Sequence, residues 1–255
     1  AVVRCGWKTD EVMLVLVTRV DELRSVDRLV NELRAVCPEV TTIVQNVNDR
    51  KTNAILGRRS RTLFGTGVMH DELLGCTFEI GPTSFYQTNP AQTEVLYELA
   101  LEGVGPASRV LDAYCGTGTI GICAAARHKT LQVIGVEQVK SAVACAQRNA
   151  EANNVADRCH FVAADATSWM AHEGRSQRFD AIIMDPPRAG STPEFLNGVA
   201  DLGPGRVVYV SCNVITQTRD LEILRSRGYG IERVTPVDMF PHTKHVESVV
   251  TLERR

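Results

Sequence analysis

From Arg109 onward, short apolar runs alternate with longer amphipathic stretches, and this alternation constrains the fold more than any other feature. "RVLDAY", "LQVIGVE", "CHFVAAD", "FDAIIMDPP" and "GRVVYVSC" read as strands. "GTGTIGICAAARH" reads as a loop entering a helix, and "KSAVACAQRNAEANN" and "VITQTRDLEILRSRG" read as helices. Strand–helix alternation of this kind predicts an open, doubly wound, mostly parallel sheet. The chain closes on "YGIERVTPVDMF" and "HVESVVTLERR", two strand patterns with no room for a helix between them. They predict an antiparallel pair at one edge of that sheet.

Before this region the pattern is mixed. "VMLVLVTRV", "VTTIVQNVN" and "TFEIGPTSFYQTN" read as strands, and "VDRLVNELRAV" reads as a helix stopped by Pro38. "PAQTEVLYELALEGV" is a helix with Pro90 in its first turn and Gly103 and Gly105 near its end. The expectation is a smaller α/β domain over residues 1–89 and a larger one over 90–255. With 44% hydrophobic and 23% charged residues, a chain of 255 residues can bury a sizeable core.

No apolar run approaches the roughly 18 residues that span a bilayer. Arg4, Lys8, Asp10 and Glu11 interrupt any signal-peptide pattern. The expected compartment is the cytoplasm, with no membrane partner. The eight cysteines are scattered and no two have C-x-x-C spacing, so neither a disulfide framework nor a metal or iron–sulfur site is expected in this chain. A net charge of −2 excludes a strongly basic nucleic-acid coat protein. It leaves room for a local patch. "NDRKTNAILGRRSR" carries Arg50, Lys51, Arg58, Arg59 and Arg61, and reads equally as a solvated strand edge or as a phosphate-contacting surface.

Doubly wound sheets bind ligands at the carboxyl ends of their strands. "LDAYCGTGTIG" lies at the end of the first strand of the alternating region, and Gly116, Gly118 and Gly121 fit G-x-G-x-x-G. Alone, such a turn can be merely structural. Glu137 ends the next strand about 20 residues on, where a carboxylate can take both ribose hydroxyls. Asp165 ends the third strand, in reach of an adenine edge. The set fits a dinucleotide and also fits S-adenosyl-L-methionine. "DPPR", Asp185 to Arg188, ends the fourth strand and separates the two: a methyltransferase must hold a flat base beside the sulfonium methyl, and a nicotinamide enzyme has no such need.

Cys212 ends the fifth strand, at the same edge as Asp112, Glu137, Asp165 and Asp185, and Asn213 follows it. Cys123 and Cys145 fall on helix faces and read as small core residues. A thiolate at a strand tip facing a methyl donor suits one reaction in particular. Carbon 5 of uracil is too weak a nucleophile to attack a sulfonium. Addition of a thiolate to carbon 6 makes an enolate, and carbon 5 can then attack. A base must next remove the carbon 5 proton. "FPHTKHVESVV" offers Glu247 for that role, with His242 and His245 as neighbours.

Taken together, "SFYQTNPAQTEVLY", "VLDAYCGTGTIG", "GVEQVKSAVACAQRNAEANN", "DAIIMDPPRAG", "VVYVSCN" and "DMFPHTKHVESVV" resemble the bacterial RNA uracil-5-methyltransferases, in that family's order and over nearly the whole chain. The resemblance implies a Rossmann-like class I methyltransferase fold: a seven-stranded, mostly parallel sheet with an antiparallel C-terminal edge strand, plus a smaller N-terminal α/β domain facing RNA. It implies Cys212 as nucleophile and Glu247 as base. It implies S-adenosylmethionine contacts from Gln87, Tyr114, Glu137 and Asp185, of which Gln87 and Tyr114 rest on the resemblance alone. The segment around Gln87 would act as a lid. The family's small N-terminal RNA-binding barrel has no counterpart here, and the chain opens as if inside the central domain. The implied partner is RNA, ribosomal rather than transfer RNA, because the central segment is most similar to the ribosomal branch. An exocyclic-amine methyltransferase is the rival enzyme and needs no thiol. A cytosine-5-methyltransferase would show Pro-Cys where Asp-Pro-Pro-Arg stands, and a binding module without activity would not need the full set of site residues.

Overall fold

Pro38, Pro90 and the glycine turns punctuate the chain where the backbone requires it. The computed structural model describes residues 1–51 and 53–255. They form two compact units, Ala1–Tyr86 and Gln87–Arg255.

The first unit runs β1 (Val2–Cys5), β2 (Val12–Thr18), α1 (Val26–Val36), β3 (Thr42–Val47), β4 (Arg59–Phe64), β5 (Met69–Leu73) and β6 (Cys76–Ile80). The first four strands form a sheet in the order β1-β2-β3-β4, and β5 and β6 make a separate antiparallel pair. Only β2 and β3 are parallel, with α1 as their crossover. All of β3 is buried, so its polar side chains must find partners. Asn46 accepts from the Gly57 amide at 2.6 Å and donates to the Gly57 carbonyl, while Gln45 donates to the carbonyls of Val20 and Asp21. The basic stretch becomes β4, paired to β3, with Arg59 through Thr62 exposed. Two of its cations are engaged: Arg59 with Asp21, and Arg61 with Gln45. The strand expected to reach Asn89 stops at Ile80, because Gly81 and Pro82 cannot extend a ladder.

The second unit opens with α2 (Pro90–Val104), capped by Asn89, whose side chain accepts from the Gln92 amide. It continues β7 (Arg109–Ala113), α3 (Thr119–Arg127), β8 (Gln132–Glu137), α4 (Lys140–Ala152), β9 (Cys159–Ala163), α5 (Ala166–His172), β10 (Ala181–Met184), α6 (Pro193–Leu202), β11 (Arg206–Ser211), α7 (Val214–Ser226), β12 (Tyr229–Val237) and β13 (Glu247–Arg254). The sheet order is β12-β13-β11-β10-β7-β8-β9. This is the expected doubly wound, mostly parallel, seven-stranded sheet, with an antiparallel pair at one edge. β13 runs antiparallel to both of its neighbours, β11 and β12. The middle strands are apolar along their length, as strands covered on both faces must be: all of β10 is buried, and so is β11 from Val207 to Ser211. On one face Ile182 and Met184 of β10 and Val207 and Tyr209 of β11 join Leu111, Trp169, Phe195 and Leu196 in one core. The helices α5 and α6 were not expected from the apolar pattern, and each is announced instead by its cap, Asp165 and Thr192 respectively.

Candidate active site

The chain runs outward from β7 to β8 and β9, then returns to place β10 on the other side of β7. The carboxyl ends of β7 and β10 therefore flank the topological switch point, where such sheets open a crevice. Five parallel strand ends deliver Tyr114, Glu137, Asp165, Asp185 and Cys212 to that edge. Because β13 is antiparallel, its start rather than its end lies there. Ser248 pairs with Ser211, so Glu247 and Cys212 are the next residues in register beyond that pair.

The turn after β7 is held in a conformation that side chains resist. Tyr114, Gly116 and Gly118 have φ of 63°, 54° and 80°. A Cβ on Gly118 would stand 2.8 Å from the ring of Phe161, so the turn packs on β9 as only glycine allows. Glu137 is tied down at both oxygens: the Gly116 amide donates to one at 3.3 Å and the Val139 amide to the other at 2.8 Å. Tyr114 packs on Phe195, with ring centroids 4.8 Å apart, and its hydroxyl lies 3.5 Å from that of Ser191. Beneath the turn, the buried Asp112 accepts from the Gly121 amide at 3.0 Å. Burial pushes its carboxyl up to about 7 against that hydrogen bond, with Glu137 adding a smaller upward push.

On the other side of the switch point three acidic groups crowd together. Asp185 is pushed up to about 8, first by burial and then by the charges of Glu247 and Asp112. Burial also raises Glu247, which is 4% exposed. The Cys212 thiol is raised by burial and by the charges of Glu247 and Asp185. The Arg188 guanidinium opposes this, lowering both Cys212 and Glu247. Arg188 donates to Nδ1 of His245 at 3.1 Å, which leaves that ring nitrogen as an acceptor already engaged. His242 is exposed, at a φ of 64°. Of the three candidate bases, Glu247 is the buried one beside the cysteine.

Tyr114, Gly116, Gly118 and Glu137 thus share one side of the crevice edge, and Asp185, Cys212 and Glu247 the other. Asp165 is exposed, and its side chain caps α5 by accepting from the Ser168 amide at 2.9 Å. Gln87 is half-buried and lies two residues before the Asn89 cap of α2. The sequence reading gave Arg188 and Ser191 no role. Arg188 could have been found as a cation following two prolines at a strand end, whereas Ser191 carries no local signal. Among the described residues, no group of three or more His, Cys, Asp or Glu side chains is placed to hold a metal ion, and no helix is long and apolar enough to cross a membrane.

A family model described as tRNA (uracil-5-)-methyltransferase matches residues 74–255. An "uncharacterized RNA methyltransferase" of Lactiplantibacillus plantarum is 43% identical over 256 residues, covering 99% of this chain and 55% of that protein. Its counterpart in Oceanobacillus iheyensis is 42% identical, covering 98% of this chain and 54% of that protein. The chain spans about half the length of the curated relatives it matches. Among solved structures, the Pyrococcus abyssi tRNA (uracil-54, C5)-methyltransferase in complex with S-adenosyl-L-homocysteine superposes with a TM-score of 0.80 and 34% identity, covering 98% of this chain and 58% of that one. An S-adenosylmethionine-dependent methyltransferase from Agrobacterium tumefaciens, 17% identical, shares the fold at a TM-score of 0.58, covering 86% of this chain and 79% of that one.

Proposed function

This chain belongs to the tRNA (uracil-5-)-methyltransferase family, and we propose that it methylates carbon 5 of a uridine in RNA through a covalent adduct on Cys212. The observation that carries this reading is the juxtaposition of Cys212 and Glu247 across β11 and β13. A thiol and a buried carboxylate, side by side and next to Asp185, are what addition at carbon 6 and proton removal at carbon 5 require.

The turn after β7 suits S-adenosylmethionine. Gly116 leaves open space where a side chain would stand, Gly118 lets the turn pack down on Phe161, and the fixed carboxylate of Glu137 presents acceptors for ribose hydroxyls. In this reading Gln87, Tyr114, Gly116, Gly118, Glu137, Asp165 and Asp185 hold the cofactor, which supplies an electrophilic methyl group. Cys212 gives its proton to solvent and its thiolate adds to carbon 6 of the uracil, which moves the ring double-bond electrons into an enolate through carbon 5 and the carbon 4 oxygen. Arg188 favours the thiolate by its charge. Once carbon 5 carries the methyl group, Glu247 takes the proton from that carbon. The electrons of the broken C–H bond re-form the ring double bond as the bond between carbon 6 and sulfur breaks. Burial makes Glu247 a stronger base than an exposed carboxylate.

The proposed substrate is ribosomal RNA, acted on in the cytoplasm, with the exposed arginines of β4 in the first unit meeting phosphates. A second reading, transfer RNA, is favoured by the likeness to the Pyrococcus abyssi tRNA enzyme. Mass spectrometry of the protein incubated with 5-fluorouridine RNA and S-adenosylmethionine tests the chemistry, because fluorine at carbon 5 cannot leave as a proton and the adduct should persist. The expected result is an RNA mass on the peptide containing "VVYVSCN". Binding of both cofactor and RNA without any adduct would favour methylation of an exocyclic amine instead. Running the assay with ribosomal and transfer RNA separately identifies the substrate.

A further inference from the structure

The face of α7 that follows Cys212 makes contacts that the chemistry above does not use. Asn213, Thr216 and Asp220 recur at helical spacing and all engage the turn after β10. The Asn213 side-chain amide donates to the Arg188 carbonyl at 3.1 Å, and the Thr216 hydroxyl shares its one proton between that oxygen at 3.3 Å and the Asn213 carbonyl of its own helix at 3.0 Å. Asp220 is fully buried. One of its oxygens accepts from the Ser191 amide at 2.7 Å and from the Tyr209 hydroxyl at 2.6 Å. The other accepts from Arg219 at 2.8 and 2.6 Å. Arg219 also reaches the carbonyls of Ala189 and Ser191, each at 3.1 Å. The turn sits so close that a Cβ on Gly190 would stand 2.6 Å from the Asp220 carboxylate.

Burying a carboxylate is expensive, and an apolar residue would pack a helix on a strand at lower cost. Asp220 does something an apolar residue cannot. It joins three pieces of chain through directional bonds: β11 three residues before Cys212, the turn six residues after Asp185, and α7 itself. We propose that Asp220 is a positioning residue that fixes the 185–191 turn, and with it Asp185, relative to the strand tip that carries Cys212. Thr216 and Asn213 make the same link at the mouth of the crevice. The catalytic meaning of this clamp rests on the methyl-transfer reading, whereas the clamp itself does not.

The test compares the wild-type chain with Asp220→Asn and Thr216→Val, using amide hydrogen exchange, equilibrium binding of S-adenosylmethionine, and kcat and KM for RNA methylation. Asp220→Asn should speed exchange in the peptide spanning 185–191 by about tenfold or more and leave the β8 peptide unchanged. It should lower kcat by roughly tenfold to a hundredfold, since small misplacements of reacting groups are costly, and raise the KM for cofactor by less than that, since Asp185 is one of several residues that would hold it. Thr216→Val removes one hydroxyl and keeps the shape, so it should move exchange and kcat in the same direction by about threefold. If Asp220→Asn does not fold, Thr216→Val decides. Unchanged exchange at 185–191, or a kcat that falls only with the folded fraction, overturns the proposal. A wild-type chain that methylates no RNA, with exchange still loosened only at 185–191, would sink the functional reading and leave the clamp standing.

Discussion

Cys212 stands among charges that pull in opposite directions. Asp185 and Glu247 raise its thiol and Arg188 lowers it. Cys212→Ala should abolish methyl transfer and leave cofactor binding intact; full turnover would remove Cys212 from the mechanism. Glu247→Gln should let the adduct form and then trap it, seen as a stable protein–RNA band, and normal turnover would mean that another base acts. Arg188→Gln should raise both Cys212 and Glu247. The rising acid limb of the kcat/KM profile should then move to higher pH, and an unmoved limb would contradict the electrostatic role. Asp112 gives a prediction about stability. Its carboxyl sits near 4 in an unfolded chain and is pushed up to about 7 in the fold, so its contribution is complete below the lower value and is lost as pH rises through the upper one. Asp112→Asn keeps an acceptor for the Gly121 amide. It should raise Tm at pH 8.5 by roughly 4 °C relative to wild type and change it little at pH 4. At this scale the sequence makes a residue's place legible where it stands at a strand end, as with Glu137, Asp185 and Cys212. It is silent on Tyr114, whose positive φ is imposed by the turn, and on Gln87, which lies outside any regular element.

Elements are legible where apolar spacing and an end signal coincide. The helix expected over Val26–Val36 forms over those residues, and so does the one over Pro90–Val104, each with a proline near one end. Two other helices were hidden because apolar spacing was the criterion. Ala166–His172 is too short to show a period, and Pro193–Leu202 is marked by Thr192 before its Pro193 and by Gly203 after it. The strand Arg59–Phe64 was hidden for the opposite reason: its polar residues face solvent while its backbone pairs with a buried neighbour. The turn between β7 and α3 makes the sharpest test of an element. A Cβ on Gly118 would meet Phe161 at 2.8 Å and Ala146 at 3.1 Å, at a φ of 80°. Gly118→Ala should therefore cost about 1–3 kcal/mol in chemical denaturation and weaken cofactor binding by more than the loss of folded protein explains. Gly75→Ala, which meets nothing within 4 Å, is the control for strain alone.

At the scale of the molecule, each unit has its own sheet and its own buried cluster. Residues 87–255 should fold alone, unfold in one transition and bind S-adenosylmethionine, while binding RNA more weakly than the whole chain. Equal RNA affinity would show that residues 1–86 do not face the substrate. The alternation from Arg109 onward made the second unit's topology legible, because parallel strands need crossovers and the crossovers leave a period in the sequence. The first unit mixes parallel and antiparallel pairs with loops of different lengths, and no single period describes it. One consequence of the sheet order concerns synthesis on the ribosome. Of the seven strands in this sheet, the one that begins at Glu247 is the last to be translated, yet it inserts between two strands already made. In a nascent chain that has emerged only as far as Val246, the glycine turn and Cys212 are already translated, but two strands still wait for the partner that fills the gap between them. On the proposed mechanism the base arrives with that partner, so the glycine turn is translated well before the carboxylate that would finish the reaction.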